Sequence, residues 1–239
     1  MRVFVTGADR GLGAAMVRRL LEQGHRVFAG QFMPDWPELA QLKDRSGDLL
    51  DVIPLDVGDS ASVAAAAAHV TAGEGALDVL INNAGVTATS MYAPIAEPQN
   101  YEDMMRIYNV NTLGALRMVE AFLPLLERGQ ARRLCFVSSE AGSIARSHRT
   151  SWYGYCMSKS ALNMAVSILH NDLYPKGYTF RLYHPGWVRS YMSGQKNTQG
   201  DMEPDEAAVP ALAYFLNGNG AVDEGTLALR DYEGKLWPW

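Results

Sequence analysis

Tyr155 and Lys159 stand four residues apart in the run Tyr153-Gly-Tyr-Cys-Met-Ser-Lys159, inside a stretch from Trp152 to Leu173 whose pattern predicts a helix. An i, i+4 pair projects from one helical face, about one turn apart. A phenol beside an ammonium suits proton donation, because the positive charge favours phenolate and draws the tyrosine below its free pKa of about 10. A carbonyl group that accepts hydride also needs a proton, and this pair could deliver it. Tyr-x-x-x-Lys is common in helices, so its meaning depends on its company. Tyr153 offers no equivalent, because its i+4 partner is Met157.

Thr6-Gly-Ala-Asp-Arg-Gly-Leu-Gly13 follows the first predicted strand and opens the first predicted helix. Gly7, Gly11 and Gly13 would let the backbone approach a diphosphate, and a helix N-terminus offers N–H groups and a favourable dipole. The spacing Gly-x-x-x-Gly-x-Gly departs from the Gly-x-Gly-x-x-Gly dinucleotide fingerprint, and a merely tight strand-to-helix turn is the alternative. Asn82-Asn-Ala-Gly85 ends another strand, where an adenosine moiety lies in an open sheet; taken alone, an Asx turn explains it as well. Asp56 could accept from an adenine amino group or simply make a turn. Asn111 interrupts a helical run with an amide that competes for backbone groups. Ser139 follows the fifth strand, where its hydroxyl could meet a substrate oxygen or form an ordinary turn.

The elements that must position these residues alternate between short apolar strands and helices. Strands are predicted at 2–6, 26–30, 51–55, 77–82, 133–138, 179–184 and 226–231. Helices are predicted at 12–23, 36–46, from the Asp59 cap through the alanines 64–68, at 101–126 with interruptions at Gly114 and Pro124, at 152–173 and at 206–216. Such alternation predicts a single α/β domain over 1–239, a doubly wound parallel sheet of about seven strands with helices on both faces. Runs such as Val79-Leu-Ile and Leu134-Cys-Phe-Val are apolar on both faces, as a covered parallel sheet requires. The polar stretch 190–203 follows the end of a strand and is expected to be a substrate-side loop.

The chain has 239 residues, 48% hydrophobic and 20% charged, with a formal charge of −5. These values carry no nucleic-acid or anionic-membrane footprint. Cys135 and Cys156 are too few for a disulfide framework, and no Cys/His cluster has zinc spacing, so no metal is expected. No apolar run is long enough to span a bilayer, and the first residues enter a strand at once, which argues against a signal peptide and for a cytoplasmic protein.

Taken together, Thr6-Gly-x-x-x-Gly-x-Gly13, Asn82-Asn-Ala-Gly85, Asn111, Ser139, Tyr155-x-x-x-Lys159 and Pro185-Gly-Trp-Val-Arg-Ser190 occur in the order of one known pattern across most of the chain. The sequence resembles the short-chain dehydrogenase/reductase superfamily of Rossmann-like folds. Ser138-Ser-Glu-Ala-Gly-Ser-Ile144, Trp152-Tyr-Gly-Tyr155, Met157-Ser-Lys-Ser-Ala-Leu-Asn-Met164, His184-Pro-Gly-Trp-Val188 and the ending Tyr232-Glu-Gly-Lys-Leu-Trp-Pro-Trp239 are similar to C-factor and Sniffer-like carbonyl reductases. Two departures stand out: the Ser139–Tyr155 separation exceeds the commonest one, with Ala145 to Ser151 free to loop out, and Ser190 stands where threonine is usual.

The resemblance implies roles. Tyr155 would be the general acid, Lys159 would hold the nicotinamide ribose and lower the tyrosine pKa, Ser139 would orient the carbonyl, and Asn111 would hold a relay water. The implied coenzyme set is Gly7, Asp9, Arg10, Gly11, Leu12, Gly13, Gln31, Asp56, Val57, Asn83, Ala84, Gly85, Tyr155, Lys159, Pro185, Gly186, Val188 and Ser190. Gln31 holds the strand-two position where an NAD enzyme places an acidic residue for the ribose 2′-OH. With Arg10 in the glycine turn, this favours NADP(H), with NAD(H) as the alternative; Asp9 beside Arg10 argues the other way. Met91, Tyr92, Trp187, Tyr191 and Met192 could line an apolar pocket for a small or medium ketone, aldehyde or quinone. A nucleotide-sensing or signalling protein on the same fold, with weak catalysis, is the competing reading. Relatives are often homodimers or homotetramers, and the helices at 101–126 and 152–173 are the expected interface. The aromatic end Trp237-Pro-Trp239 needs cover from the body or a neighbour.

Overall fold

Strands β4 (Val79–Asn82) and β5 (Arg133–Val137) are buried at every position, the burial of a sheet covered on both faces. They belong to one eight-stranded sheet with β1 (Arg2–Val5), β2 (Arg26–Gln31), β3 (Leu50–Pro54), β6 (Thr179–His184), β7 (Leu229–Asp231) and β8 (Leu236–Trp237), in the order β3-β2-β1-β4-β5-β6-β7-β8. All neighbours pair parallel except β7 with β8. The computed structural model describes residues 1–216 and 224–239.

Alternation along each strand feeds two cores. Phe4, Phe28, Leu80, Leu134 and Phe136 face α3 (Ser60–Gly73), α5 (Gly114–Glu127) and α6 (Tyr153–Leu173). Val3, Val5, Val27, Ile81 and Cys135 face α1 (Gly11–Glu22), α2 (Glu38–Ser46) and α7 (Pro204–Leu216). The chain leaves the sheet at β3 and re-enters on the other side of β1 at β4. That reversal opens a crevice beyond the carboxyl ends of β1 and β4, where doubly wound sheets bind ligands.

Most boundaries lie within one or two residues of those predicted. The run 101–126 is the main correction. It is divided into α4 (Tyr101–Tyr108), a π-turn over Asn109–Leu113 and α5, with the Gly114 N–H donating to the Asn109 carbonyl. The interruption therefore ends at Gly114, where an added Cβ would come within 2.8 Å of Val57 Cγ2. Pro124 sits inside α5 without ending it. The eighth strand was not anticipated, because it is only two residues long. The Asp231 side chain sets its hairpin, accepting from the Glu233 and Lys235 amides and from Trp237 Nε1. Helix α7 begins at Pro204, a first-turn position where the missing N–H costs nothing.

Candidate active site

The glycine turn is held open by its own backbone and by the end of β4. Gly7 and Gly11 have φ of +61° and +58°, in the left-handed region that favours glycine. A Cβ on Gly7 would lie 2.8 Å from the Ala84 Cα. The Thr6 hydroxyl accepts from the amides of Asn83 and Ala84, and Asn83 Nδ2 donates to the carbonyls of Thr6 and Gly7. The first turn and the end of β4 are thus laced into one unit. Helix α1 starts at Gly11 with no side-chain cap, so its N-terminal N–H groups face the crevice with the positive end of the dipole. This cradle suits a diphosphate.

A cleft of about 1430 Å³ runs from this turn to the catalytic candidates. It is lined by Gly7, Asp9, Arg10, Gly11 and Leu12, by Asp56 and Val57, by Asn83, Ala84 and Gly85, by Ser139, Tyr155 and Lys159, and by Pro185, Gly186, Val188 and Ser190. Three expected site residues are not among its lining residues: Gly13, Gln31 and Asn111. Gly13 is a packing glycine, since a Cβ there would lie 2.1 Å from the Gly7 carbonyl oxygen. At the end of β2, Gln31 accepts from the Leu55 amide through its carbonyl, while Phe32 and Met33 reach the cleft. The Asn111 amide is largely engaged: Oδ1 accepts from the Val86 N–H and keeps one acceptor site, and Nδ2 donates to the Val86 carbonyl and Ser158 Oγ. It therefore ties the segment after β4 to α6. Its Oδ1 and the Lys159 ammonium nonetheless converge beneath Gly85, where an added Cβ would lie 3.5 Å and 3.7 Å from them.

Two coenzyme candidates have other tasks in the fold. The Asp9 carboxylate is buried and accepts from the Met33 amide at 2.6 Å, fixing the chain just after β2. Asp56 accepts from the Gly58 amide at 2.7 Å in an Asx turn at the cleft wall.

At the other end, Ser139 follows β5 and accepts from the Ala141 amide, capping a short 3₁₀ turn. Its hydroxyl also hydrogen-bonds the Tyr155 phenol. Burial raises the Tyr155 pKa to about 12, and the Ser139 bond offsets only part of that rise. Lys159 donates from Nζ to the Val137 carbonyl at 3.0 Å, and Nζ lies 5.8 Å from the Tyr155 ring centroid. Burial lowers the Lys159 pKa to about 8. The expected depression of the tyrosine pKa is therefore not a property of the protein alone. Desolvation pushes both groups toward their neutral forms. At neutral pH this leaves a protonated phenol, the form a general acid needs.

The wall around Tyr155 includes residues to which the sequence assigns no site role. Trp152 adopts the left-handed conformation at the start of α6, with φ of 71°. Its N–H donates to the Met91 carbonyl, and its ring packs edge-on against Tyr92 and Tyr155. Arg149 lies over the same ring and pairs with both carboxylate oxygens of Glu140. His184 lines the cleft with Nδ1 buried and without a hydrogen-bond partner, and burial lowers its pKa. No periodicity or motif announces a left-handed tryptophan or a pairing between segments. Met91, Tyr92, Trp187, Tyr191 and Met192 do line the cleft as expected. The 190–203 stretch supplies much of one wall and is held by the Asp201 amide on the Trp187 carbonyl and a Val188–Met202 bridge. The aromatic end folds back: Trp239 accepts from the Ala145 amide, Pro238 from the Ser143 hydroxyl, and Trp237 enters the cleft lining.

A glycine cradle, a serine, a tyrosine and a lysine along one crevice define a nucleotide-dependent oxidoreductase of the doubly wound class. The family model "short chain dehydrogenase" matches residues 1–201, and the chain belongs to that family. It is 39% identical over 165 residues to the C-signal of Myxococcus xanthus, covering 69% of this chain and 94% of that protein. The structure of an NADPH-bound carbonyl reductase from chicken fatty liver superposes with a TM-score of 0.87 at 32% identity, covering all of this chain and 98% of that one. The carbonyl reductase Sniffer of D. melanogaster shares the fold, with a TM-score of 0.85 at 24% identity over all of this chain and 99% of that one.

Proposed function

We propose that this protein is an NADPH-dependent reductase of small or medium carbonyl compounds, with Tyr155 as general acid. The observation that carries this reading is the convergence of Ser139, Tyr155 and Lys159 on the cleft that begins at the glycine turn. A nicotinamide dinucleotide supplies the hydride when bound. The chain's own groups do the rest. The Ser139 hydroxyl and the Tyr155 phenol lie within hydrogen-bond reach of each other, and a carbonyl oxygen arriving there would receive the proton of each in place of their mutual bond. They stabilise the negative charge that grows there, and Tyr155 passes its proton to that oxygen. Lys159 would hold a ribose hydroxyl of the coenzyme and lend positive charge to the phenolate left behind. Asn111 and Lys159, converging beneath Gly85, would share a water that returns the proton.

NADPH rather than NADH is favoured by Arg10 in the cleft wall and by Phe32 and Met33, not an acid, at the end of β2. The NADPH-bound state of the chicken reductase supports the same choice. Met91, Tyr92, Trp152, Trp187 and Met192 favour an apolar ketone, aldehyde or quinone, with 190–203 as the substrate-side loop. The signalling alternative needs only the coenzyme residues and leaves the Ser139–Tyr155–Lys159 arrangement without a purpose. Among the described residues, no helix is long and apolar enough to cross a membrane, and the thiols of Cys135 and Cys156 are unbridged, which fits a cytoplasmic setting. Coenzyme consumption against a panel of carbonyls, with NADPH and NADH in parallel, tests the reading; no turnover of any carbonyl, or a clear NADH preference, overturns it.

A further inference from the structure

Arg10, Trp36 and Tyr191 come from three distant parts of the chain and meet at one edge of the cleft. Arg10 caps the glycine turn, Trp36 follows β2, and Tyr191 opens the 190–203 stretch. The Arg10 guanidinium carbon lies 4.7 Å from the Trp36 ring centroid and 5.1 Å from that of Tyr191. The two rings meet edge-to-face, 5.0 Å apart at 69°. One guanidinium nitrogen donates to the Tyr191 carbonyl at 3.0 Å. Trp36 is fixed in turn, its N–H donating to the Met33 carbonyl, while the Met33 N–H donates to Asp9. None of these contacts on Arg10 neutralises its charge, and the guanidinium keeps further N–H donors for an incoming anion.

We infer that Trp36 and Tyr191 are specificity-determining residues for the coenzyme: they clamp the Arg10 guanidinium at the cleft edge where an adenosine 2′-phosphate arrives. An exposed arginine has many rotamers and loses them when it binds phosphate. A guanidinium already held against two rings has lost that freedom in advance, so more of its pairing with phosphate appears as affinity. The clamp rests on the NADPH reading above and extends it to two residues outside the glycine turn. Because Tyr191 belongs to the substrate-side stretch, the same contact joins coenzyme selection to the substrate wall.

The test uses two nucleotides that differ only in the 2′-phosphate, adenosine 2′,5′-bisphosphate and 5′-AMP, titrated into the full chain by calorimetry. Wild type should prefer the bisphosphate, and Arg10→Ala should abolish the preference. Trp36→Leu and Tyr191→Leu should each weaken bisphosphate binding by about tenfold and leave 5′-AMP within about twofold, the signature of lost preorganisation at the 2′ position alone. Tyr191→Phe, which keeps the ring and the backbone carbonyl, should bind as wild type. If Arg10→Ala abolishes the preference while both leucine variants retain wild-type binding, or lose both nucleotides equally, the clamp is wrong and the NADPH reading stands. If wild type shows no preference, the coenzyme reading fails and the clamp falls with it. Should Trp36→Leu not fold, Tyr191→Leu decides alone.

Discussion

The Lys159 ammonium donates to the Val137 carbonyl at 3.0 Å, so strand β5 holds the lysine and Tyr155 does not. This anchor fixes the ammonium beneath Gly85 and beside the Tyr155 ring, in a position to act on whatever enters the cleft. The cost is a buried cation, and its titration sets an expected pH dependence. Lys159 changes charge near pH 8 in the protein alone. Above that value the phenolate left by proton transfer loses its cationic support. For carbonyl reduction, kcat/KM should be flat toward neutral pH and fall with a single-proton slope whose midpoint is near 8. Lys159→Arg should push that fall beyond about pH 10 while lowering the plateau. A wild-type profile flat through pH 9.5, or an unchanged midpoint in the arginine variant, contradicts the assignment.

The same burial makes a stability prediction of opposite sign to the activity loss. Unfolded, this lysine keeps its proton up to its ordinary 10.5; folded, it keeps it only up to about 8. Between those values the unfolded state binds more protons, so stability rises with pH across that window. Below it both states are charged, and the full cost of the buried cation is present. Lys159→Met should therefore raise stability at pH 7. The linkage is worth about 3 kcal/mol, less about 1 kcal/mol for the lost bond to Val137. The advantage should shrink steadily toward pH 10.5, where the wild-type lysine is neutral in the fold. Chemical denaturation of both proteins at several pH values checks this, and a destabilised methionine variant at pH 7 contradicts it.

Tyr155→Phe keeps the ring and its contact with Trp152 but removes the only proton the mechanism assigns. Turnover should fall by about 10²–10⁴-fold, the usual contribution of a positioned general acid. NADPH affinity should stay within about twofold, and loss of the bond to Ser139 should cost only about 1 kcal/mol of stability. Near-normal turnover on a good carbonyl substrate would remove Tyr155 from the chemistry.

Much of this site was legible because local rules wrote it. The glycine turn, the end of β4 and the helix with Tyr155 and Lys159 each follow from short-range spacing, and Ser139 follows from the end of a strand. What could not be read depends on pairing across distance. Propensity shows Asn111 to be out of place in a helix, but only the fold reveals that Val86 and Ser158 anchor its amide and that a π-turn accommodates it. Gln31 was placed on the right strand, yet side-chain direction at a strand end is a matter of one residue, and Phe32 takes the cleft instead. The expected pKa of Tyr155 was wrong in sign because spacing reports the neighbouring charge and is silent on burial.

Gly13 tests the distinction between a glycine that touches ligand and one that touches protein. A Cβ there would lie 2.1 Å from a backbone oxygen that cannot move without dragging the Gly7 turn. Gly13→Ala should cost about 2–3 kcal/mol of stability and weaken coenzyme binding together, because overpacking shifts the cradle. Gly73→Ala, in α3 with open space around its Cβ position, should be neutral or slightly stabilising. Equal melting temperatures for the two variants would show that the α1 turn has slack the packing denies.

Among the described residues, nothing covers the outer face of α4 and α6. Tyr101 and Met105 on α4, and Met157, Met164 and Ile168 on α6, are each more than half exposed. Spacings of seven and four place the three α6 residues on one side of the helix. The two helices approach closely, since a Cβ on Gly154 would meet Met104 Cγ at 2.9 Å, so their exposed residues stand on neighbouring elements. Contiguous apolar patches of this kind mark association sites. A homodimer formed through α4 and α6 is the expected state, with two copies of the patch meeting about a twofold axis. Light scattering at micromolar concentration should give twice the chain mass, and Met164→Glu with Ile168→Glu should give the monomer mass without loss of helical signal. Monomeric wild type, or a double variant that stays dimeric, would place the interface elsewhere.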